Sequence, residues 1–248
     1  MTRATTPAVR LDQALVAQGL VESRQKAQAL IRAGQVRLDG RPAERADQPV
    51  AVGAAVELLA PPRFVGRGGE KLSGALDDLG IDPSGRVCLD AGASTGGFTD
   101  ALLQRGARLV YAVDVGYGQL AWRLRQDERV VVMERTNIRN LTSLAGPEPD
   151  LAVADLSFIS LRQVVPAIRR LLAPEAELLA LLKPQFELGR GRVSRGGIVR
   201  SLADREEALA GFCAWAAVEG LEVVATVASR VVGAKGNQEY FVHMRANG

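Results

Sequence analysis

Histidine is almost missing from this chain: its 248 residues include one, His243, and only two cysteines, Cys88 and Cys213. A His/Cys metal centre gathers several such ligands around one ion, so none is expected, and a Ser-His-Asp triad would have to recruit that single histidine. The two cysteines lie far apart, each in an apolar run (RVCLDA and GFCAWAA). They read as reduced core residues and not as a disulfide framework, which suits a cytoplasmic protein. Long hydrophobic runs are lacking too. The opening MTRATTPAVR leads into no apolar leader, and no stretch approaches the ~18 uncharged apolar residues of a membrane span. The best candidate, 151–182, is broken by Asp155, Arg162, Arg169, Arg170, Glu175 and Glu177. Export and membrane spanning are therefore not expected. Lysine is scarce as well: of 31 basic residues only four are lysine, namely Lys26, Lys71, Lys183 and Lys235. Any catalysis must rest on lysine and carboxylates.

Apolar residues, by contrast, make up 47% of the chain, enough for one large domain or a medium one with a small companion. The charge is unevenly placed. Residues 1–66 carry nine Arg/Lys against six Asp/Glu, while 67–248 carry 22 against 22, so the excess lies in the first quarter and points to an anionic partner there.

That first quarter reads as two short helices and a hairpin. In VRLDQALVAQGL, Leu11, Leu15 and Val16 share a face and Gly19 can end the helix; Ser23 offers an N-cap for RQKAQALIRAG, closed by Gly34. Ala27, Leu30 and Ile31 form the apolar side of that second helix, and Arg24, Gln28 and Arg32 form a polar stripe turned away from it. QVRLDGR then alternates Val36 and Leu38 inward with Arg37 outward before an Asp39-Gly40 turn, and VGAAVELL supplies a further strand. An arginine stripe beside an arginine-bearing hairpin suits phosphates. The run RLDQAL...ESRQKAQALIRAGQVRLDGR resembles the S4-type RNA-binding domain over about residues 9–59. The expected contacts to structured RNA are Arg10, Arg24, Lys26, Arg32, Arg37 and Arg41.

APPRFVGRG, with its proline pair and following glycines, reads as a linker, giving expected domains at 1–60 and 67–248 joined by 61–66. Beyond it, helical patterns alternate with apolar strands: KLSGALDDLG, RVCLDAG, GGFTDALLQRG, RLVYAVDVG, QLAWRLRQD, VVVMERTN, LAVADLS, a helix over 161–172, ELLALLKP, a helix over 202–218, and closing strands EVVATVASRVV and QEYFVHMR. Such alternation predicts an α/β domain with a doubly wound, mostly parallel sheet and ligands at the C-terminal strand ends.

The first of these strands runs into LDAGASTGGFTDALL. Asp90, Gly92, Ala93, Ser94, Gly96 and Gly97 form a glycine-rich turn where a ligand can approach bare backbone, and the next strand ends in Asp114, placed to accept hydrogen bonds from a ribose diol. A dinucleotide fingerprint needs G-x-G-x-x-G. Gly92-Ala93-Ser94-Thr95-Gly96-Gly97 lacks its second glycine, and Asp90 nearby would repel phosphate but attract a sulfonium or amino group. S-adenosyl-L-methionine fits this turn better than NAD; Phe98, Asn137 and Asp155, the last near the methionine part, complete the candidate cofactor set. Asp155 and Lys183 end the strands LAVA and LLALL and should emerge on the same sheet edge, Lys71 begins the helix ahead of the cofactor strand, and Glu239 interrupts an apolar strand.

GRGGEKL, LDAGASTGGFTD, ADLSFISL, LLKPQFE and GNQEYF together resemble the TlyA family, in which an S4-type domain is fused to an FtsJ-like ribose methyltransferase, and some of whose members are called haemolysins. One departure is Gly66, where the family's V-S-R-G-G-x-K-L stretch carries serine. The resemblance implies a Rossmann-like class I methyltransferase fold with a seven-stranded sheet and a small N-terminal α+β RNA-binding domain. It further implies that Lys71, Asp155, Lys183 and Glu239 form a catalytic tetrad acting on the 2′-hydroxyl of a cytidine in small- and large-subunit ribosomal RNA. A buried lysine can give up its proton where an arginine in practice does not, so Lys183 is the expected base. The basic loop GRGRVSRGGIVR, with Arg190, Arg192, Arg195 and Arg200, is expected to clamp RNA phosphates together with Arg67. Two other readings remain: a membrane-active haemolysin without catalysis, and a nicotinamide-dependent oxidoreductase.

Overall fold

A computed structural model describes residues 9–59, 62–194 and 196–246; Arg195, one of the expected RNA contacts, lies outside the described residues. The chain separates into two compact units, with the boundary between Pro62 and Arg63.

In the first unit the order is β1 (Val9–Arg10), α1 (Leu11–Ala17), α2 (Arg24–Arg32), β2 (Val36–Leu38), β3 (Arg41–Pro42), β4 (Pro49–Val50) and β5 (Val56–Leu58). Ser23 caps α2, its hydroxyl accepting from the Lys26 N–H at 3.2 Å. Leu11, Leu15, Ala27, Ile31 and Val36 close a small core between the helices and the antiparallel order β3-β2-β5, while β1 pairs with β4. The Asp39-Gly40 turn takes positive φ at both positions, the geometry that matches strand twist in a tight hairpin.

The second unit contains α3 (Arg67–Leu79), β6 (Val87–Ala91), α4 (Gly97–Gln104), β7 (Leu109–Val113), α5 (Trp122–Arg125), β8 (Val130–Met133), β9 (Leu151–Ala154), α6 (Val165–Arg169), β10 (Glu177–Leu182), α7 (Pro184–Glu187), α8 (Leu202–Val218), β11 (Leu221–Ala228) and β12 (Tyr240–Ala246). Its seven strands run β11-β12-β10-β9-β6-β7-β8, as expected mostly parallel, with β12 antiparallel to both neighbours. Alternation splits each strand between two cores. Cys88, Leu179 and Leu181 face the side covered by Leu72, Leu76 and Leu102 of α3 and α4; Leu89, Leu178 and Ala180 face Val165, Ile168 and Phe212 of α6 and α8. Both faces are covered, which is why β9 and β10 are continuous apolar runs in the sequence.

Several boundaries differ from expectation. Helix α3 starts at Arg67, four residues before Lys71, because its glycines are packed: a Cβ on Gly69 would run into the Phe64 ring, and one on Gly97 would stand 2.9 Å from the Gly69 nitrogen. Just ahead of it, Phe64 is buried and the Val65 N–H donates to Asp100 Oδ2 at 2.8 Å, so residues that read as linker are part of the second unit's core. QLAWRLRQD forms only the short α5, since Ala121 is extended with its N–H on the Thr95 carbonyl at 3.1 Å. The 161–172 helix is split at Val164, whose φ of −118° separates a 3-10 turn from α6. Glu239 precedes β12 instead of lying within it. Cys88 is fully buried and Cys213 half-buried; both are free thiols. Among the described residues no cluster of three or more His, Cys, Asp or Glu could hold a metal ion, and no helix is long and apolar enough to cross a membrane.

Candidate active site

Strand register brings four ionisable side chains together. Leu182 at the end of β10 pairs with Tyr240 at the start of β12, so the next residues outward, Lys183 and Glu239, stand side by side. Ala154 at the end of β9 pairs with both Ala91 and Ala180, and the Asp155 N–H continues the ladder onto the Ala91 carbonyl at 3.0 Å, setting Asp155 at the same edge. Lys71 reaches this edge from α3, its Nζ 2.5 Å from Glu239 Oε2.

Two lysine–carboxylate pairs result. Lys71, Lys183 and Glu239 are buried and Asp155 is half-buried. Lys183 Nζ lies 2.6 Å from Asp155 Oδ1, an ion pair whose angle is not that of a hydrogen bond, and donates to Ser157 Oγ at 2.9 Å. A buried charge is tolerated only when paired, and here two cations face two anions. The neighbouring backbone is shaped to admit these groups. Gly92 has φ +91°, and a Cβ there would stand 2.5 Å from the Asp155 carbonyl oxygen; a Cβ on Gly233 would strike the Glu239 carboxylate.

Beside the Lys183–Asp155 pair lies a cleft of about 520 Å³, lined by Gly92, Ser94, Asp114, Asn137, Asp155 and Phe158 among others. An adjoining recess of about 230 Å³, which shares Gly92, Ser94, Asp155 and Ser157 with it, is lined also by Gly68, Gly97, Phe98 and Lys183. Asp114 already accepts from the backbone N–H groups of Ser94 (2.8 Å) and Gly116 (2.6 Å), and a carboxylate retains further lone pairs for a ligand. Asp90 and Gly96 stand behind this lining. Asp90 is fully buried, its Oδ2 accepting from Thr99 N–H (2.9 Å) and Oγ1 (2.6 Å), while its Oδ1 has no partner. Burial, reinforced by the nearby Asp155 and Asp114 charges, outweighs the Thr99 hydrogen bonds and pushes this carboxyl up to about 7.

Ser157 and Phe158 are the functional-looking residues not singled out in the sequence, although both lie inside ADLSFISL. Phe158 is 91% exposed at φ +66°, with its ring 5.4 Å from that of Phe186, which follows Lys183 in α7. A large apolar ring left in solvent in a strained conformation at a cleft mouth is an unusual expense.

The basic residues fare unevenly. Lys26, Arg32, Arg37 and Arg41 are exposed, and Arg10 and Arg24 converge on Asp12. Arg67 donates to the Val232 carbonyl at 2.7 Å. Arg192, expected to be a free phosphate contact, is held by Asp204 and Glu207 of α8, which offsets its charge. The 196–199 backbone is tied to the segment leading to Glu239: Asn237 donates to Gly197 O at 2.8 Å and accepts from Val199 N–H at 3.0 Å, and Lys235 donates to Gly196 O at 3.0 Å.

The S4 domain matches residues 9–56, and the FtsJ-like methyltransferase family matches residues 64–246. The 16S/23S rRNA (cytidine-2′-O)-methyltransferase TlyA of Mycobacterium tuberculosis is 49% identical over 95% of this chain and 89% of its own length. A solved structure from Streptococcus thermophilus, provisionally named a hemolysin, is 38% identical and superposes with a TM-score of 0.75 over 98% of this chain and 90% of that one. A provisionally assigned S-adenosylmethionine-dependent methyltransferase from Listeria monocytogenes, 10% identical, covers 73% of this chain and 99% of its own at a TM-score of 0.55, a likeness of fold alone.

Proposed function

The chain belongs to the FtsJ-like methyltransferase family, in its TlyA branch with an S4 domain ahead of the methyltransferase domain, and on that premise we propose that it transfers a methyl group from S-adenosylmethionine to the ribose 2′-hydroxyl of a cytidine in ribosomal RNA. The observation that carries this reading is the pair of buried lysines, each matched to a carboxylate, gathered at the strand ends beside a cleft of nucleoside size. The residues present suit the cofactor. Asp114 and Asn137 are assigned to its nucleoside, Gly92, Ser94, Gly97 and Phe98 to the wall that its amino-acid portion passes, and the unpartnered, buried Asp90 Oδ1 favours positive charge nearby. The bound cofactor supplies an electrophilic methyl carried on a sulfonium.

A ribose hydroxyl is a weak nucleophile at neutral pH, so the protein must remove its proton as attack proceeds. Lys183 is assigned that task. An uncharged amine has two hydrogens and one lone pair; with Ser157 Oγ receiving one hydrogen and the Asp155 carboxylate alongside, the lone pair is left for the substrate hydroxyl. Lys71, paired with Glu239 at the same strand edge, is assigned to orient the hydroxyl. Positioning of this kind supplies much of the rate by fixing the angle of attack. The exposed Phe158, with the half-buried Phe186 beside it, offers apolar surface at the mouth for a base turned out of its stack.

The test is to incubate isolated ribosomal subunits and deproteinised ribosomal RNA with methyl-labelled S-adenosylmethionine and the protein, then to digest the RNA to nucleosides. Label on cytidine ribose is the expected result. Label on a base, or none while the RNA is bound, would overturn the assignment. The hemolysin name carried by a relative of the same fold is addressed by adding the protein to dye-loaded liposomes, where no release is expected.

A further inference from the structure

We infer that Asp12 is a positioning residue that holds Arg10 and Arg24 together as one fork for an RNA backbone phosphate. This rests on the reading that the protein acts on RNA and names where the first unit grips it. Asp12 is fully buried, on the first turn of α1 beside Leu11 and Leu15. Its Oδ1 accepts from Arg10 Nε at 3.1 Å; its Oδ2 accepts from Arg10 Nη2 at 3.1 Å, Arg24 Nη2 at 3.1 Å and Gln28 Nε2 at 2.9 Å. Two guanidinium groups, from Arg10 and Arg24, thus share one carboxylate oxygen.

Stability alone does not call for such an arrangement. A buried ion cluster is often replaceable by apolar residues without loss, so a carboxylate kept inside this small core is weak evidence of a stabilising role. What it achieves is geometric. The Arg10 and Arg24 side chains remain 45% and 52% exposed, each anchored at one edge. Arg10 uses its Nε and one Nη2 hydrogen and Arg24 one Nη2 hydrogen, leaving their other N–H groups without a side-chain or backbone acceptor among the described residues. Planar, pre-oriented donors suit a phosphate, which two arginines can grasp from adjacent sides. Ordering them in the free protein avoids immobilising two long side chains on binding. The Asp12 carboxyl is held well below the usual range, chiefly by the Arg10 hydrogen bonds, with those of Gln28 and Arg24 adding to them against the effect of burial, so it stays ionised wherever RNA is bound.

The sign of one substitution separates this role from simple charge. Asp12→Asn removes a negative charge, so attraction to RNA through net charge alone would strengthen; loss of the fork would weaken it. Filter binding of the full chain to deproteinised ribosomal RNA is measured from about 50 to 200 mM salt, where affinity falls with the number of phosphates engaged. For Asp12→Asn we expect roughly tenfold weaker binding at the lower salt and a salt slope shallower by about one phosphate. The variant Arg10→Lys/Arg24→Lys keeps both charges but not the fork and should weaken binding similarly, which serves as the test if Asp12→Asn does not fold. In an Arg10→Gln/Arg24→Gln background, Asp12→Asn should add nothing. Unchanged or tighter binding by Asp12→Asn, unchanged binding by the lysine variant, or the same loss in the glutamine background would each overturn the fork. If the unsubstituted protein binds no ribosomal RNA, the RNA reading itself falls; if it binds and labels ribose while Asp12→Asn matches it, only the fork does.

Discussion

Lys71 and Glu239, 168 residues apart in the chain, meet with Nζ 2.5 Å from Oε2 and both side chains shut off from solvent. Taking away one partner strands the other charge in a low-dielectric setting. Lys71→Met or Glu239→Leu alone should lower unfolding free energy by on the order of 3–5 kcal/mol, while Lys71→Met/Glu239→Leu together should cost clearly less than the sum. Urea unfolding midpoints of the four proteins give the comparison. Additive losses would show that the two side chains are not coupled.

Lys183→Arg keeps a cation at the strand end but no group able to take a proton. Methyl transfer should fall by about 10²–10⁴ while S-adenosylmethionine binding, followed by calorimetry, stays within a few-fold. Retention of even a tenth of the rate would remove Lys183 from its assigned role.

Ser157→Ala leaves the Lys183 ion pair with Asp155 but frees one amine hydrogen from its acceptor. A rate loss of about fivefold at saturating RNA and cofactor is expected, largely restored by Ser157→Thr, since a net hydrogen bond is worth about 1 kcal/mol. Equal rates for alanine and serine in single-turnover assays would refute this.

Asp90 makes stability depend on pH. With its folded pKa raised to about 7 from the ordinary 3.8 of an aspartate, the folded protein keeps a proton that the unfolded chain has already released. Between those values stability must fall as pH rises, levelling off above about 7, with a total effect of at most on the order of 4 kcal/mol. Asp90→Asn cannot ionise, so the gap in unfolding free energy between it and the unsubstituted protein should shift steadily in the variant's favour from pH 4 to 7. Parallel pH curves would mean that Asp90 does not carry this load.

Much of this arrangement was legible in the chain. The apolar runs of β6, β9 and β10, the span of α8 and the residues that follow each strand could be read from local pattern, because parallel strands buried on both faces leave an uninterrupted signature. Segments decided by distant partners were not legible. Phe64 and Val65 look like linker until Gly69 packs on the Phe64 ring and Asp100 of α4 accepts from the Val65 N–H, and Arg192 looks free until α8 supplies Asp204 and Glu207. Asp12 is the sharpest case: next to Leu11 in a polar-looking turn, its burial depends on guanidinium groups arriving from two places. Ser157 is likewise ordinary by pattern, and only the Lys183 amine gives it a task.

The sheet order also dictates when the site can exist. Strand β12 enters between β10 and β11, both of which precede it in the chain, and it carries Glu239 at its leading end. The two closing strands pair antiparallel with each other, and the β12 side of that ribbon completes the sheet against β10. Until β12 is seated there, Lys71 has no counter-ion and the β10 terminus has no neighbour on one side.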